Sequence, residues 1–275
     1  MPRVAVVGHV EWITFARVPR LPAAGEIVHA SETWEQAGGG GAVAVVQLAR
    51  LAGGADFFTA LGSDVLARRC REQLEAEGVR VHGAPRPEGQ RRCFTHIDAA
   101  GERTITVVGD RIVPHGEDAL EWDELAGFDA VYFTAGDDAA LRAARAARVL
   151  TATPRADETL RSAGIGLDVL IRSAGDPGEQ LDPAGLDPPP RLVVSTEGAD
   201  GGRWEAADGT SGRYPPVAPP GPPRDSYGLG DCFAAGLTYG LGDGRELEAA
   251  LDLAARCGAH KLAGRAAYEG MLSGA

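Results

Sequence analysis

Short apolar runs recur along this chain, and segments with helical spacing separate them. Val4 to Val7 reads "VAVV" and stops at Gly8. Ala55 to Thr59, Ala130 to Thr134, Asp168 to Ile171 and Leu192 to Ser195 are runs of the same kind. A run apolar on every residue fits a strand covered on both faces, which is the state of strands in a parallel sheet. Between the runs, Val43 to Leu51 is rich in Ala, Val and Leu, and Leu66, Cys70 and Leu74 repeat every four residues before a stop at Gly78. Leu141 to Leu150 is rich in Ala and Arg and predicts a further helix. Alternation of this sort predicts an α/β fold with a mostly parallel sheet.

Two stretches break the rhythm. Ile27 to Trp34, "IVHASETW", lacks a helical period and carries β-branched and aromatic residues. Phe94 to Ile97 and Thr104 to Val108 read as strands around an Ala-Ala-Gly turn. They fit either an ordinary edge hairpin or a small sheet outside the main body. Pro and Gly cluster at Asp182 to Pro190 and at Tyr214 to Pro223, where the backbone should be extended and stiff.

With 275 residues, 44% of them hydrophobic, the chain can bury a substantial core, and a single domain over 1–275 is the expectation. The net charge is -12 with no run of Lys or Arg, which argues against nucleic acid and anionic membrane as partners. Cys70, Cys93, Cys232 and Cys257 form no C-x-x-C pair and read as reduced thiols. The N-terminal apolar run is too short for a secretory signal, and no run reaches the roughly 18 residues of a membrane span. A cytoplasmic protein is therefore expected.

Four motifs carry chemistry. The sequence Asp225-Ser226-Tyr227-Gly228-Leu229-Gly230-Asp231-Cys232-Phe233 precedes a helix marked by Phe233, Leu237 and Leu241. Glycines at a helix mouth expose backbone N–H groups, and these with the helix dipole make an anion site. An Asp there can take a proton from an attacking hydroxyl, or can be an ordinary N-cap. Gly38-Gly39-Gly40-Gly41 opens the helix over "AVAVVQLARL" and permits close approach of a ligand to backbone. It lies some thirty residues past the first strand, so it is not the dinucleotide fingerprint, and a nicotinamide oxidoreductase is disfavoured. Glu11 falls just beyond the first strand, where open α/β sheets bind ligands. Thr196-Glu197-Gly198-Ala199-Asp200-Gly201 is a polar glycine turn after a strand. The six histidines do not cluster at metal-ligand spacing.

The order of these motifs resembles the ribokinase-like (PfkB-type) carbohydrate kinase family over nearly the whole chain. The resemblance is carried by the glycine run with its helix, the hairpin containing Gly101-Glu102-Arg103-Thr104, the "STEGADGG" turn and the final Gly-x-Gly-Asp. The family's closing signature is usually Asp-Thr-x-Gly-Ala-Gly-Asp-x-Phe; Ser226 and Leu229 stand here for Thr and Ala. The resemblance implies a three-layer α/β/α Rossmann-like fold with a small β lid, drawn from strands within 10–36 and 91–110. It implies transfer of the γ-phosphoryl group of ATP, with Mg²⁺, to a hydroxyl of a sugar or nucleoside-like molecule. Asp231 would be the base, and the amides of Gly228, Leu229 and Gly230 the anion hole. Glu11, Gly39, Gly40 and Val43 would face the acceptor. Thr196, Gly198 and Gly201 would lie near the nucleotide. A lid with unpaired edges would favour a homodimer.

Three positions depart from the family pattern. Val43 stands where an Asn usually binds the sugar, and Glu11 where an Asp is usual. An apolar Val43 with Trp12 nearby is compatible with a base-bearing acceptor, hence a nucleoside kinase. The family's Asn-x-x-Glu motif, tied to Mg²⁺, falls in register on Ser173 and Asp176. These losses also fit a non-catalytic ligand-binding relative, although such a protein has no need of Asp231. The chain is short between Gly136 and Pro190, so an element is expected to be trimmed there.

Overall fold

The computed structural model describes residues 1–274. Strand β1 (Val4–Val7) is buried along its whole length. Val4 and Val6 join one hydrophobic core, whereas Ala5 and Val7 join another on the opposite face. A period of two on a strand sends neighbours to opposite sides, so a fully apolar run needs cover on both.

β1 is an interior strand of a nine-stranded sheet. On one side lie β4 (Ala55–Leu61) and β5 (Val79–Pro85). On the other lie β8 (Ala130–Phe133), β9 (Val149–Ala152), β10 (Val169–Ser173) and β11 (Leu192–Thr196), all parallel. The antiparallel strands β12 (Gly202–Ala206) and β13 (Ser211–Tyr214) close that edge. Helices α1 (Gly40–Ala52), α5 (Leu229–Gly242) and α6 (Leu247–Leu262) contribute to the first core, with Cys70 and Leu74 of α2 (Val65–Ala76). Helices α3 (Asp138–Ala144) and α4 (Asp157–Ser162) contribute to the second.

A second sheet of four strands has the order β3-β2-β6-β7. Its members are β2 (Glu11–Arg17), β3 (Glu32–Gly38), β6 (Arg92–Ile97) and β7 (Arg103–Val108). Phe15 of β2 stacks on Trp34 of β3 at 5.2 Å and meets Tyr227 edge-on, so the inner face of this sheet joins the first core. Every residue of β7 is exposed.

Two local readings differ from the sequence expectation, and a third concerns the stretch between Gly136 and Pro190 where a trimmed element was expected. The strand expected near Ile27 to Trp34 is displaced toward the glycine run, because β3 pairs Glu32 with Arg17 and Gly38 with Glu11; Ile27 is left exposed. The helix expected over Leu141 to Leu150 is split. The Asp137 side chain caps α3, which ends at Ala144, and Val149 to Ala152 becomes β9 paired with β8. β-branched residues gain more from sheet pairing there than from two more helical turns. Finally, β10 runs into β11 through only two single 3₁₀ turns, Pro177–Glu179 and Pro183–Gly185. A parallel pair ordinarily needs a helical crossover. Leu181 and Leu186 from this short connection enter the second core in its place.

Candidate active site

The chain leaves β1 toward β4 and later returns on its other side through β8. Such a reversal opens a crevice at the carboxyl ends of the strands. Gly8 ends β1 there. A Cβ on it would stand 2.1 Å from Thr134 Oγ1, so only glycine lets the two strand exits approach. Residues 9 and 10 then carry the chain to Glu11, the first residue of β2.

Helix α1 points its N-terminus into this crevice. Its cap is Gly39, at φ 87, and the first-turn residues Gly40 and Gly41 follow. A Cβ on Gly39 would stand 3.2 Å from His9 Nε2 and 3.3 Å from Glu11 Cγ; one on Gly40 would stand 2.8 Å from Asp231 Oδ1. The glycine run thus brings bare backbone between Glu11 and Asp231.

Helix α5 enters from the other side. Its cap is Gly228, in the left-handed region at φ 78, with no side-chain capping bond. Asp231 is therefore not the cap of this helix. It lies in the first turn with its carboxylate turned to Gly40, and the amides of Leu229, Gly230 and Asp231 head the helix. The preceding loop is tied down by buried groups. Asp225 accepts bonds from the amides of Tyr227 (3.0 Å) and Ala266 (2.6 Å), and Lys261 Nζ lies 3.8 Å away with both side chains out of solvent. The Tyr227 hydroxyl accepts a 2.8 Å bond from the Gly39 amide.

The electrostatics single out Asp231. Burial, and then the charge of Glu179, push its pKa up to about 6; Arg103 and Arg155 oppose them. Glu11 is nearly buried beside Arg91 Nη1 (3.1 Å), Cys93 Sγ (3.0 Å) and His9 Nε2 (3.7 Å). Burial drives His9 down to about 4, with Glu11 resisting, so this imidazole is neutral at pH 7.

A cavity of about 600 Å³ opens at the N-terminal turn of α5. Thr196, Gly198 and Gly201 line it together with Leu229, Gly230 and Phe233. The proline-rich segment at Pro216 to Pro219 forms one wall and Gly258 and Leu262 of α6 another. The expected nucleotide-side residues therefore share one apolar cavity that ends at the mouth of α5.

Two expectations are corrected by the packing. Val43 is fully buried, and its Cγ1 lies 2.9 Å from where a Cβ of residue 228 would stand. It forms the floor beneath the α5 turn instead of facing an acceptor. Asp176 is engaged locally, so it would reach an ion through water: one oxygen caps the Pro177–Glu179 turn through Gly178 N, and the other bonds Arg155. Glu179, which the sequence reading passed over, accepts from the Ser173 amide (2.7 Å) and Arg155 Nε (3.2 Å) and is the carboxylate that acts most on Asp231, ahead of Glu11. Trp12 is packed in the core beneath the Arg69 guanidinium.

No cluster of three His, Cys, Asp or Glu side chains suited to a metal occurs among the described residues. Mg²⁺ that arrives on nucleotide phosphates needs only one or two carboxylates, directly or through water. Glu179, whose oxygens accept from the Ser173 amide and Arg155 just as those of Asp176 accept from Gly178 N and Arg155, would meet that requirement through water. Arginines 91, 103, 111 and 155, His9 and Tyr227 were also missed from sequence, since isolated residues of these types carry no local signature.

A family model described as pfkB family carbohydrate kinase matches residues 1–165 and 166–272. An ATP-dependent ribose-1-phosphate kinase from Halopiger xanaduensis is 32% identical over 282 residues, covering 94% of this chain and 91% of the relative. Among solved structures, ribokinase from Thermotoga maritima superposes with a TM-score of 0.80 at 18% identity, covering 99% of this chain and 97% of the other. Ribokinase from Cryptococcus neoformans in complex with ADP gives 0.78 at 21% identity, with the same coverage of 99% and 97%. Fold and glycine-bracketed carboxylate place the molecule among ribokinase-like phosphotransferases. The chain belongs to the pfkB family of carbohydrate kinases, and it is an ATP-dependent sugar kinase.

Proposed function

We propose that Asp231 is the general base that deprotonates the acceptor hydroxyl of a sugar or sugar-like molecule as it attacks the γ-phosphorus of ATP. The observation that carries this reading is the position of Asp231. Its carboxylate stands against Gly40, in the same first turn of α5 whose Leu229 and Gly230 line the apolar cavity with Thr196, Gly198, Gly201 and Phe233. A carboxylate held at about 6 is ionised at neutral pH yet more basic than a solvated Asp.

The acceptor oxygen forms a bond to the γ-phosphorus, the bond to the β-phosphate bridging oxygen breaks, and the proton passes to Asp231. The amides at Gly228 to Asp231 face the charge that develops on the transferring group, aided by the positive end of α5. Gly39 and Gly40 let the acceptor come close to backbone, and Glu11 accepts bonds from its hydroxyls. Mg²⁺ would neutralise the phosphates when bound, with Glu179 as the acidic side chain toward it. With Trp12 and Val43 both packed, the features that suggested a nucleoside acceptor no longer point to one.

The outer strand β7 and the neighbouring Phe94 expose apolar side chains, with Phe94 at 47%, Ile105 at 41% and Val107 at 44% exposure. This supports a homodimer formed through the small sheet, which light scattering at micromolar concentration tests by mass. The four free, buried cysteines suit a reducing cytoplasm. No helix among the described residues is long and apolar enough to cross a membrane.

Purified protein with Mg-ATP, screened against sugars and polyols for ADP release, tests the function. Turnover that Asp231→Asn leaves intact would remove Asp231 from the role of base.

A further inference from the structure

The loop that carries the chain into α5 rests on a buried charge that the chemistry above does not use. Lys261 lies in the last turn of α6 with its side chain wholly out of solvent. A cation suits that end of a helix, where the dipole is negative. Its Nζ has no hydrogen-bond partner among the described residues, and its ion pair is with Asp225, whose equally buried Oδ1 is 3.8 Å away. A buried charge is costly even when opposed, and an apolar side chain of similar length would fill the space without that cost. Stability alone therefore does not call for a lysine here.

Asp225 is the junction of two turns. Its Oδ1 accepts from the Tyr227 amide at 3.0 Å, in the loop whose next residue, Gly228, caps α5. Its Oδ2 accepts from the Ala266 amide at 2.6 Å, in the turn after α6. Ala266 stands at φ 56, the only residue other than glycine with a positive φ among the described residues. Such a backbone persists where its surroundings over-determine it, and Asp225 supplies that restraint. The Arg224 amide donates to the Leu262 carbonyl at 2.9 Å, which fastens the start of the loop to the end of α6. The Lys261 charge also reaches the first turn of α5. Burial drives the thiol of Cys232, the residue after Asp231, far up, and Lys261 opposes it. With both oxygens of Asp225 turned to amide donors, only a carboxylate meets the two turns at once. Lys261 supplies the countercharge that a buried carboxylate needs.

We propose that Lys261 is a positioning residue for phosphoryl transfer: its ammonium fixes the Asp225 carboxylate, which sets the Tyr227–Gly228 turn and with it the amides that head α5. The inference rests on the reading of Asp231 and those amides given above. Lys261 acts through Asp225 and touches neither nucleotide nor acceptor. Its effect falls on the charge that develops in the transition state, because that is what the amides oppose.

The test uses Lys261→Ala and Lys261→Met with Mg-ATP and the sugar of highest turnover in the screen above. The kcat should fall by about 10–100-fold while KM for ATP stays within about threefold. Ammonium chloride should restore much of the rate to Lys261→Ala, in which the deleted side chain leaves room for the ion beside Asp225. Tetramethylammonium chloride at equal ionic strength should not, and the parent should be indifferent to both salts. A rise in KM for ATP with kcat unchanged overturns the proposal, since only the α6 wall of the apolar cavity has then moved. No gain with ammonium also overturns it, by showing that Lys261 supplies packing and not charge. Should the single variants fold poorly, Asp225→Asn with Lys261→Met removes both charges and should regain stability without regaining kcat. Recovery of both would make the pair a matter of stability alone. Amide hydrogen exchange decides the matter without turnover. Exchange at Tyr227 to Gly230 should quicken in Lys261→Ala and slow again with ammonium, and unchanged exchange sinks the role of Lys261. Turnover that survives Asp231→Asn sinks the base reading instead, and the exchange result still stands for Lys261.

Discussion

The backbone N–H of Gly39 donates a 2.8 Å hydrogen bond to the hydroxyl of Tyr227, across 188 residues of sequence. It ties the cap of α1 to the loop that enters α5, joining the two glycine turns beside Asp231. Tyr227→Phe leaves the Gly39 amide without this partner in a buried site. A loss of about 1–3 kcal/mol in urea unfolding is expected. The kcat should fall more than the affinity for ATP, because the misplaced group is the acceptor's backbone contact. An unchanged kcat would mean that the tie serves folding alone.

As the proposed base, Asp231, raised to about 6, would set the acid limb of the pH profile. The value of kcat/KM for the acceptor should rise with pH through about 6 and level off above it. Asp231→Asn should lower kcat by about 10²–10⁴-fold and flatten that limb.

The same group bears on stability. Its folded pKa lies above its unfolded one, so the folded state binds more protons between the two values. Stability is therefore lost as pH rises from about 4 to about 6. Asp231→Asn should unfold at higher urea than the parent above pH 6, by no more than about 3 kcal/mol, and the two should converge below pH 4. Parallel curves at every pH would contradict the raised pKa.

Gly228 adopts φ 78 over the Val43 side chain. Gly228→Ala meets both a strained backbone and a methyl contact at 2.9 Å from Val43 Cγ1. A loss of about 1–3 kcal/mol and a marked fall in kcat should follow. Adding Val43→Ala should relieve the contact but not the strain, so a double-mutant cycle separates the two.

Val43→Asn would restore the residue usual in the family, but it would place an amide where the structure provides a fully buried apolar site. The expected result is destabilisation by about 1–3 kcal/mol with no gain in sugar use. A variant with improved sugar turnover and normal stability would show that Val43 reaches the acceptor after all.

Glu179→Gln removes a charge that raises the pKa of Asp231. The acid limb should move to lower pH, and more Mg²⁺ should be needed for half-maximal rate. A limb that stays in place would separate Glu179 from the base.

The all-apolar β1, the repeat of such runs and the order of the glycine motifs determine the α/β class and the family without reference to tertiary contacts. Local chemistry suffices there, because a strand buried on both faces must be apolar throughout, and a helix mouth that presents amides needs glycine. Element ends were less legible. Leu141 to Leu150 suits helix by composition, but pairing with β8 drew Val149 to Ala152 into the sheet. At the site, Asp231 and the glycines stood out through their spacing. Val43, Asp176 and Glu179 could not be assigned that way, because their roles depend on what each side chain faces across the fold. Arg91 and Arg111 are ordinary residues in the sequence. Only the tertiary structure sets them beside Glu11 and His9, since charges far apart along the chain acquire chemical meaning through distance and burial.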